Sequence, residues 1–595
     1  DWTNKKHPFS NCNISILTGD YILTNARKEE LEKADIVCLS AEMLGSRIRR
    51  NKSEKNAFLN NFKILIIDES HLLGMPGSRS TNLEVAIMKF TKVNPDCRIV
   101  FLSATMPNIE ELGTWLTKLN GKKTSILKSD YRPVELKIHF QIYPYLGRDR
   151  EQQMLIQEAT SVITKYPDDK FILFVHTKKL GYNLLKHLQH LDEICEFHCA
   201  DLEKDDRERI QTEFRDRAKG SLRIVIATST LAWGCNYPAR RVAILGVNRG
   251  PTVVDAIDIS QECGRAGRVG LDKNGDAHIL INNQYSAKDR EDFLTPKPIK
   301  SQLADVSALG FHLVAEIAEE SVTDMKSCFD WFKRTLFYHQ KQNEEEAITL
   351  LKKTLDKLKE CNAILINGEN NLAVTPIGKV SAWFYYSPFY ISALCYNFKS
   401  VLKASEPNDA QIAWALANTP ENNNEYPIVL DPTGKNLVNQ ANSAGLSLAN
   451  GAEKHFYSVY LCLTGRNSEM PEIRGLCRAY RFDGDRLAFA INVLNQIGKY
   501  FNKLPGEDKI DELPYRLKYG IPSKYLELCL LPGVGFVRAN VLINTHKIFS
   551  CKDLVAAHRM GKKVFTEEMM AKVLSTAEEI AQIGKSNYIK KIRKQ

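Results

Sequence analysis

The chain has 595 residues, 44% hydrophobic and 26% charged, with a net charge of +10. That length predicts roughly four domains with cores of their own, and the composition excludes a disordered or collagen-like polymer. No apolar run reaches the ~20 residues of a bilayer helix and "DWTNKKHPFSNCN" lacks a signal-peptide core, so a soluble intracellular protein with no membrane role is expected, and its charge suits a polyanion.

In chain order, "DIVCLS", "FKILIIDE" and "CRIVFLSAT" are short apolar runs separated by helical patterns. They read as strands of a parallel α/β sheet buried on both faces. Arg132-Pro133 interrupts this group, and a linker is expected near residues 130–150. A second group, "KFILFVH", "LRIVIATS" and "RRVAILGV", predicts a second parallel sheet. Cys195 and Cys199 flank His198, but one such cluster cannot supply four zinc ligands, so the fourteen cysteines are expected to be reduced structural thiols. Beyond about Lys300 the spacing becomes helical. There "INGENNLAV" reads as a short hairpin before "AVTPIGKVSAWFYYSP", consistent with a small winged helix. Further on, Leu487, Ile491 and Leu494 fall at core positions of a long helix. In "PGVG", Gly533 and Gly535 permit a sharp turn that brings helix amides close to a phosphate. The basic end "SNYIKKIRKQ" reads as a solvated terminus before it reads as a nucleic-acid contact.

The chemistry concentrates at strand ends. Asp68 and Glu69 follow "ILII", so a parallel strand delivers both carboxylates to the sheet edge where α/β proteins bind ligands. One can hold Mg²⁺ through water while the other orients the water that attacks a γ-phosphate. For an isolated acidic pair a capped strand end is the plainer explanation, and the neighbouring segments reverse that. Ser103 and Thr105 end the next apolar run with small hydroxyls. Thr228, Ser229 and Thr230 end another, suited to a phosphodiester backbone. Gln261, Arg265 and Arg268 lie on one glycine-punctuated segment, the arginines sharing a face if helical and able to act as arginine fingers.

The ordered set "TGD", "DESH", "SAT", "YRPVEL", "FVHTKK", "ATSTLAWGCNYPARR" and "QECGRAGR" resembles the motif series of superfamily II DExH-box helicases. More narrowly the chain is similar to the Ski-two-like group, closest to the archaeal repair helicase and HELQ type, over nearly its whole length. The resemblance implies an α/β fold of two RecA-like parallel-sheet domains (residues 1–130, the C-terminal part only, and 131–300). A winged helix (301–400), a helical ratchet domain (401–510) and a helix-hairpin-helix with a basic tail (511–595) would follow. It implies an ATP-dependent DNA helicase stepping 3′ to 5′ on a single strand and acting on forked DNA in repair or replication, with ATP and Mg²⁺ as cofactors, as a monomer.

Carried over by motif, Asp68 and Glu69 would hold Mg²⁺ and the attacking water. His71 would join the coupling network, Gln261, Arg265 and Arg268 would contact nucleotide phosphates, and Ser103 and Thr105 would relay hydrolysis to movement. Thr18, Gly19, Ser40, His176, Thr177, Thr228 and Thr230 would line the strand. Arg481, Arg486 and Phe482 would grip it from a ratchet helix, and Gly533 and Gly535 from the hairpin. "NRGPTVVDAIDIS" stands where such helicases carry a duplex-parting β-hairpin, and Arg249-Gly250-Pro251 is a plausible turn.

Three departures stand out: Cys235 and Tyr237 where relatives carry aliphatic residues, "HCADLEKDD" in place of "HHAGL", and the lack of any G-x-x-x-x-G-K-[ST]. The near match "IGKS" at Ile583–Ser586 has Glu579 at the first glycine position. The expectation is therefore a chain whose phosphate loop lies upstream of Asp1, and which hydrolyses ATP poorly alone. Two other readings stay open: a Ski-two-like RNA helicase, and a non-catalytic nucleic-acid-binding relative.

Overall fold

The computed structural model describes residues 9–17, 25–48, 59–191, 193–199, 202, 204–216, 221–228, 231, 239–250, 252–368, 371–423, 425 and 427–594. The chain divides into two compact units. One comprises Asp1–Lys63, Pro76–Cys97 and Ser301–Gln595, the other Ile64–Met75 and Arg98–Lys300. In the first, β1 (Ile14–Leu17) and β2 (Ile36–Leu39) form a parallel pair.

The second unit holds a parallel pair and a larger sheet. β3 (Ile64–Ile67) lies beside β4 (Arg98–Phe101), Ile64 opposite Arg98 and Ile67 opposite Phe101. Both pairs are parallel, as the first group of apolar runs suggested. β3 is not covered on both faces as its sequence suggested: Ile64 and Ile66 remain 54% and 58% exposed.

The larger sheet uses β5 (Glu135–Tyr143), β6 (Phe171–Val175), β7 (Cys195–His198), β8 (Ile224–Ala227) and β9 (Arg241–Leu245). Then β10 (Asn248–Arg249) and β11 (Thr252–Val253) make a small antiparallel hairpin, and β12 (Asn274–Asn282) completes the sheet. Its order is β5-β12-β9-β6-β8-β7, all parallel. Alternate residues of each central strand enter opposite cores. Ile172, Phe174, Val225 and Val242 pack on one face, and Phe171, Leu173, Ile224 and Ala243 on the other. Two-sided burial explains why these strands read as unbroken apolar runs. Each buried large side chain contributes about 2 kcal/mol of transfer free energy.

From Ser301 onward the first unit is helical apart from the hairpin of β13 (Ile364–Ile366) and β14 (Leu372–Val374), which falls where a hairpin was read. The helix Pro376–Phe384 follows it, with Thr375 capping Gly378 N. The 28-residue helix Pro471–Gly498 buries Leu487, Ile491 and Leu494 as its periodicity predicted. Among the described residues thirteen cysteines are free, no group of three or more His, Cys, Asp or Glu side chains is placed to hold a metal, and no helix is long and apolar enough to cross a membrane.

Candidate active site

The acidic corner is built by a strand that stops abruptly. Glu69 has φ 52° and ψ 46°, a left-handed conformation costly for a residue with a side chain, and it opens the 3₁₀ turn Ser70–Gly74. The turn is pinned to the neighbouring strand, since Ser70 N and Oγ both donate to Leu102 O, at 2.9 and 3.0 Å. Asp68 Oδ1 accepts from Glu69 N at 3.0 Å. Burial raises the Glu69 carboxyl above its ordinary range, with a further push from Asp68, while Arg265 and Gln261 pull the other way.

Gln261 is delivered by the helix Ala256–Cys263, capped by Asp255, and its Nε2 lies 3.4 Å from Glu69 Oε2. That helix ends at Cys263, so Arg265 and Arg268 do not share a helical face. They lie in a turn made by close backbone contact: Ala239 N donates to Arg265 O at 3.0 Å and Gly267 N to Ala239 O at 2.7 Å. Gly267 has φ +91°, and a Cβ on Gly275 would sit 2.3 Å from Ala266 C, so strand β12 starts directly against the arginine turn.

The two arginines therefore differ. Arg265 places its charge on Glu69, whereas Arg268 is engaged by Asp272, its Nε and Nη2 both donating at 2.9 Å and its N–H at 2.8 Å. Arg132, which sequence reasoning treated only as part of a linker motif, braces the turn. Its Nη2 donates to Gly264 O (3.0 Å) and Ala266 O (3.1 Å), and its Nε to Val134 O (2.8 Å).

A polar chain leads away from the carboxylates. His71 Nδ1 is 3.0 Å from Ser103 Oγ and 3.4 Å from Glu69 Oε2. Ser103 Oγ also donates to Thr105 O at 2.9 Å. A hydroxyl has one hydrogen, so the proton between His71 and Ser103 belongs to His71 Nδ1. Burial lowers the His71 pKa, against the pull of Asp255 and Asp68, and the ring is neutral at pH 7.

The remaining expected contacts are scattered. Ser40 Oγ accepts from Met43 N and Thr177 Oγ1 from Leu180 N, both at helix starts, and Thr228 closes β8. The His176 side chain is only 2% exposed and its Nε2 donates to Gly246 O at 3.0 Å. Thr18, Gly19 and Thr230, with Cys235 and Tyr237, lie outside the described residues. On the long helix, Arg481 stacks over Phe536 at 5.2 Å and packs against Gly520, away from an open gripping position. Arg486 stacks over Tyr386 at 4.8 Å and pairs with Asp483 at 2.9 Å, while Phe482 is 70% exposed. Gly533 has φ +71°, and Gly535 opens the helix Phe536–Asn544.

Residues 3–112 match the DEAD/DEAH box helicase family and residues 152–270 the helicase conserved C-terminal domain. These matches and the relatives that follow support a Ski-two-like superfamily II helicase of the Hel308 and HELQ type. It is 28% identical to the ATP-dependent DNA helicase Hel308 of Thermoplasma acidophilum, over 91% of this chain and 81% of that one. To Hel308 of Pyrococcus horikoshii it is 26% identical, over 89% and 79%. A crystal structure of the DUF1998 helicase MrfA bound to DNA and AMPPNP is similar at 18% identity and a TM-score of 0.44, covering 60% of this chain and 48% of that one. The two domain matches and these relatives support an ATP-hydrolysing helicase with tandem RecA-like domains followed by helical ones.

Proposed function

We propose that this helicase uses ATP to move 3′ to 5′ along single-stranded DNA and to part forked duplexes in repair or replication. The observation that carries the reading is the meeting of Glu69 with Gln261 and the charge of Arg265, joined through His71 to Ser103. Ski-two-like relatives named as DNA helicases, and the glycine turn at Gly533–Gly535, favour DNA over RNA.

The donor chemistry fits a hard divalent cation. Two adjacent carboxylates, one raised by burial and by its neighbour, would be relieved by positive charge, and Mg²⁺ needs only one or two protein carboxylates when phosphates supply other oxygens. Asp68 and Glu69 would hold it, and when bound it neutralises charge on the phosphates. Glu69 orients the attacking water and Arg265 faces the charge developed on the transferred phosphoryl group. Hydrogen-bond changes at Glu69 pass through His71 to Ser103 and Thr105.

Ser40, Thr177 and Thr228 supply backbone contacts in this reading, as do the amides at Gly533–Gly535, while Phe482 and Arg486 supply a stacking surface. The five-part domain division and a monomeric state belong to the same proposal. The sequence contains no G-x-x-x-x-G-K-[ST], so the reading expects a phosphate loop to be supplied from outside these 595 residues.

The test compares 3′- and 5′-tailed DNA and RNA duplexes with the native polypeptide containing this chain. Unwinding of 3′-tailed DNA is expected. Unwinding of RNA alone would establish the RNA-helicase reading, and binding with no stimulated ATP hydrolysis the non-catalytic one.

A further inference from the structure

His176 sits between the β10–β11 hairpin and the helix that presents Gln261. On one side its Nε2 is 3.0 Å from Gly246 O, where the chain turns from β9 into the hairpin, and Val254 N closes the hairpin base on Val247 O at 2.8 Å. On the other, its Nδ1 lies 4.0 Å from Glu262 Oε1, on the helix Ala256–Cys263 that leaves the hairpin directly. The two side chains are 2% and 1% exposed. Neither Glu262 oxygen, nor His176 Nδ1, has a hydrogen-bond partner among the described residues.

Counting protons fixes the arrangement. A carbonyl only accepts, so His176 Nε2 carries the ring hydrogen. Burial, helped by the charge of Arg249, pushes His176 down to about 4, so at pH 7 the ring is neutral and Nδ1 is a bare acceptor. Burial also holds Glu262 well above the usual carboxyl range, with Asp258, one turn earlier on the same helix, adding to the rise and Arg249 of the hairpin opposing it. Asp255 caps that helix through Ile257 N. β9 and β12, against which the helix packs, contribute Ile244, Ile279 and Ile281 to the adjoining core. The unpartnered Glu262 carboxyl thus faces, at 4.0 Å, a nitrogen that can only receive a proton.

We infer that Glu262 is a positioning residue whose buried carboxyl, facing His176 Nδ1 at 4.0 Å, ties the hairpin base to the helix that presents Gln261 to Glu69. Movement at the nucleotide corner then reaches the duplex-parting hairpin through one short helix and one buried side-chain pair. The inference rests on the helicase reading for its consequence, while the juxtaposition of the two side chains does not.

The experiment compares the parent with Glu262→Gln, which keeps a donor of the same shape, and Glu262→Leu, which removes it, in the native polypeptide containing this chain. Single-strand-stimulated ATP hydrolysis, duplex parted per ATP and thermal melting are followed from pH 6 to 9. Alongside, ¹⁵N-histidine spectra of the 595-residue chain report the His176 tautomer. Glu262→Leu is expected to keep hydrolysis and lose about tenfold in duplex parted per ATP, the size of one buried hydrogen bond. Glu262→Gln, which keeps the shape and a donor, is expected to part duplex as the parent does. His176 is expected as the Nε2–H tautomer. An unchanged ratio in Glu262→Leu overturns the inference, as does a Gln variant as defective as Leu or a protonated Nδ1 at pH 7. Should the parent part no duplex, the helicase reading has failed, and the imidazole resonances still decide the pair.

Discussion

Glu69 holds its carboxylate in place with its own backbone. A left-handed residue with a side chain costs about 1 kcal/mol or more, and the pinned turn at Ser70 offsets it. The outcome is a half-buried acid within reach of both Gln261 and His71. Ser103 is the next contact outward, which gives a sharp expectation for Ser103→Ala. Its folding stability should fall by only about 1 kcal/mol, for one hydrogen bond lost. Stimulated ATP hydrolysis should stay within a few-fold of the parent while unwinding of tailed DNA falls about tenfold; equal losses in both assays would remove Ser103 from the relay. At this scale Asp68, Glu69, His71 and Ser103 were legible because a strand end and its four-letter turn fix their neighbourhood. The pairing of Arg268 with Asp272, four residues on, was not read from the sequence although the spacing carried it. The direction of the His176 ring was not legible, because a histidine after a buried strand does not announce which way it turns.

At the scale of elements, the arginine turn is held by two of its carbonyls on Arg132, which also bonds Val134 O, and by strand β12 pressed against it at Gly275. Arg132→Met should leave those carbonyls short of donors, costing about 1 to 3 kcal/mol, and should reduce ATP hydrolysis by displacing Arg265. Gly275→Val should be worse, because its Cβ would lie 2.3 Å from backbone that cannot yield without moving the turn. Denaturant unfolding together with stimulated hydrolysis checks both. A Gly275→Val protein of full stability and activity would contradict the packing. The glycine spacing of "QECGRAGRVGLDKNGDA" carried this contact in the sequence, but nothing in it told Arg132 apart from any linker arginine. The short β10–β11 hairpin was legible as a turn because Arg249-Gly250-Pro251 follows a strand and precedes a capped helix.

Across the whole molecule, the six-stranded sheet was readable because two-sided burial leaves no polar interruptions, whereas the grouping of distant segments was not. The helix Ser78–Val93 clusters with Ser301–Gln595, and the contact that shows why is a buried charge. Glu84 accepts from Ser301 Oγ at 2.6 Å and Leu336 N at 2.8 Å, partners more than two hundred residues away. Burial raises Glu84 to about 7. The unfolded chain titrates it near the ordinary value of 4.5, so between those limits the folded state binds more protons and stability falls as pH rises. Full ionisation costs on the order of 3 kcal/mol relative to a neutral side chain. Glu84→Gln should therefore match the parent near pH 5 and exceed it at pH 8, as read by hydrogen exchange in the helix Ser78–Val93. A difference independent of pH would contradict the assignment.

The most direct measurement for the account as a whole is single-strand-stimulated ATP hydrolysis by the native polypeptide containing this chain, with and without Glu69→Gln. If Glu69 orients the attacking water, the variant binds tailed DNA as the parent does and hydrolyses ATP at least about 100-fold more slowly. A Glu69→Gln protein that hydrolyses at the parent rate would contradict it.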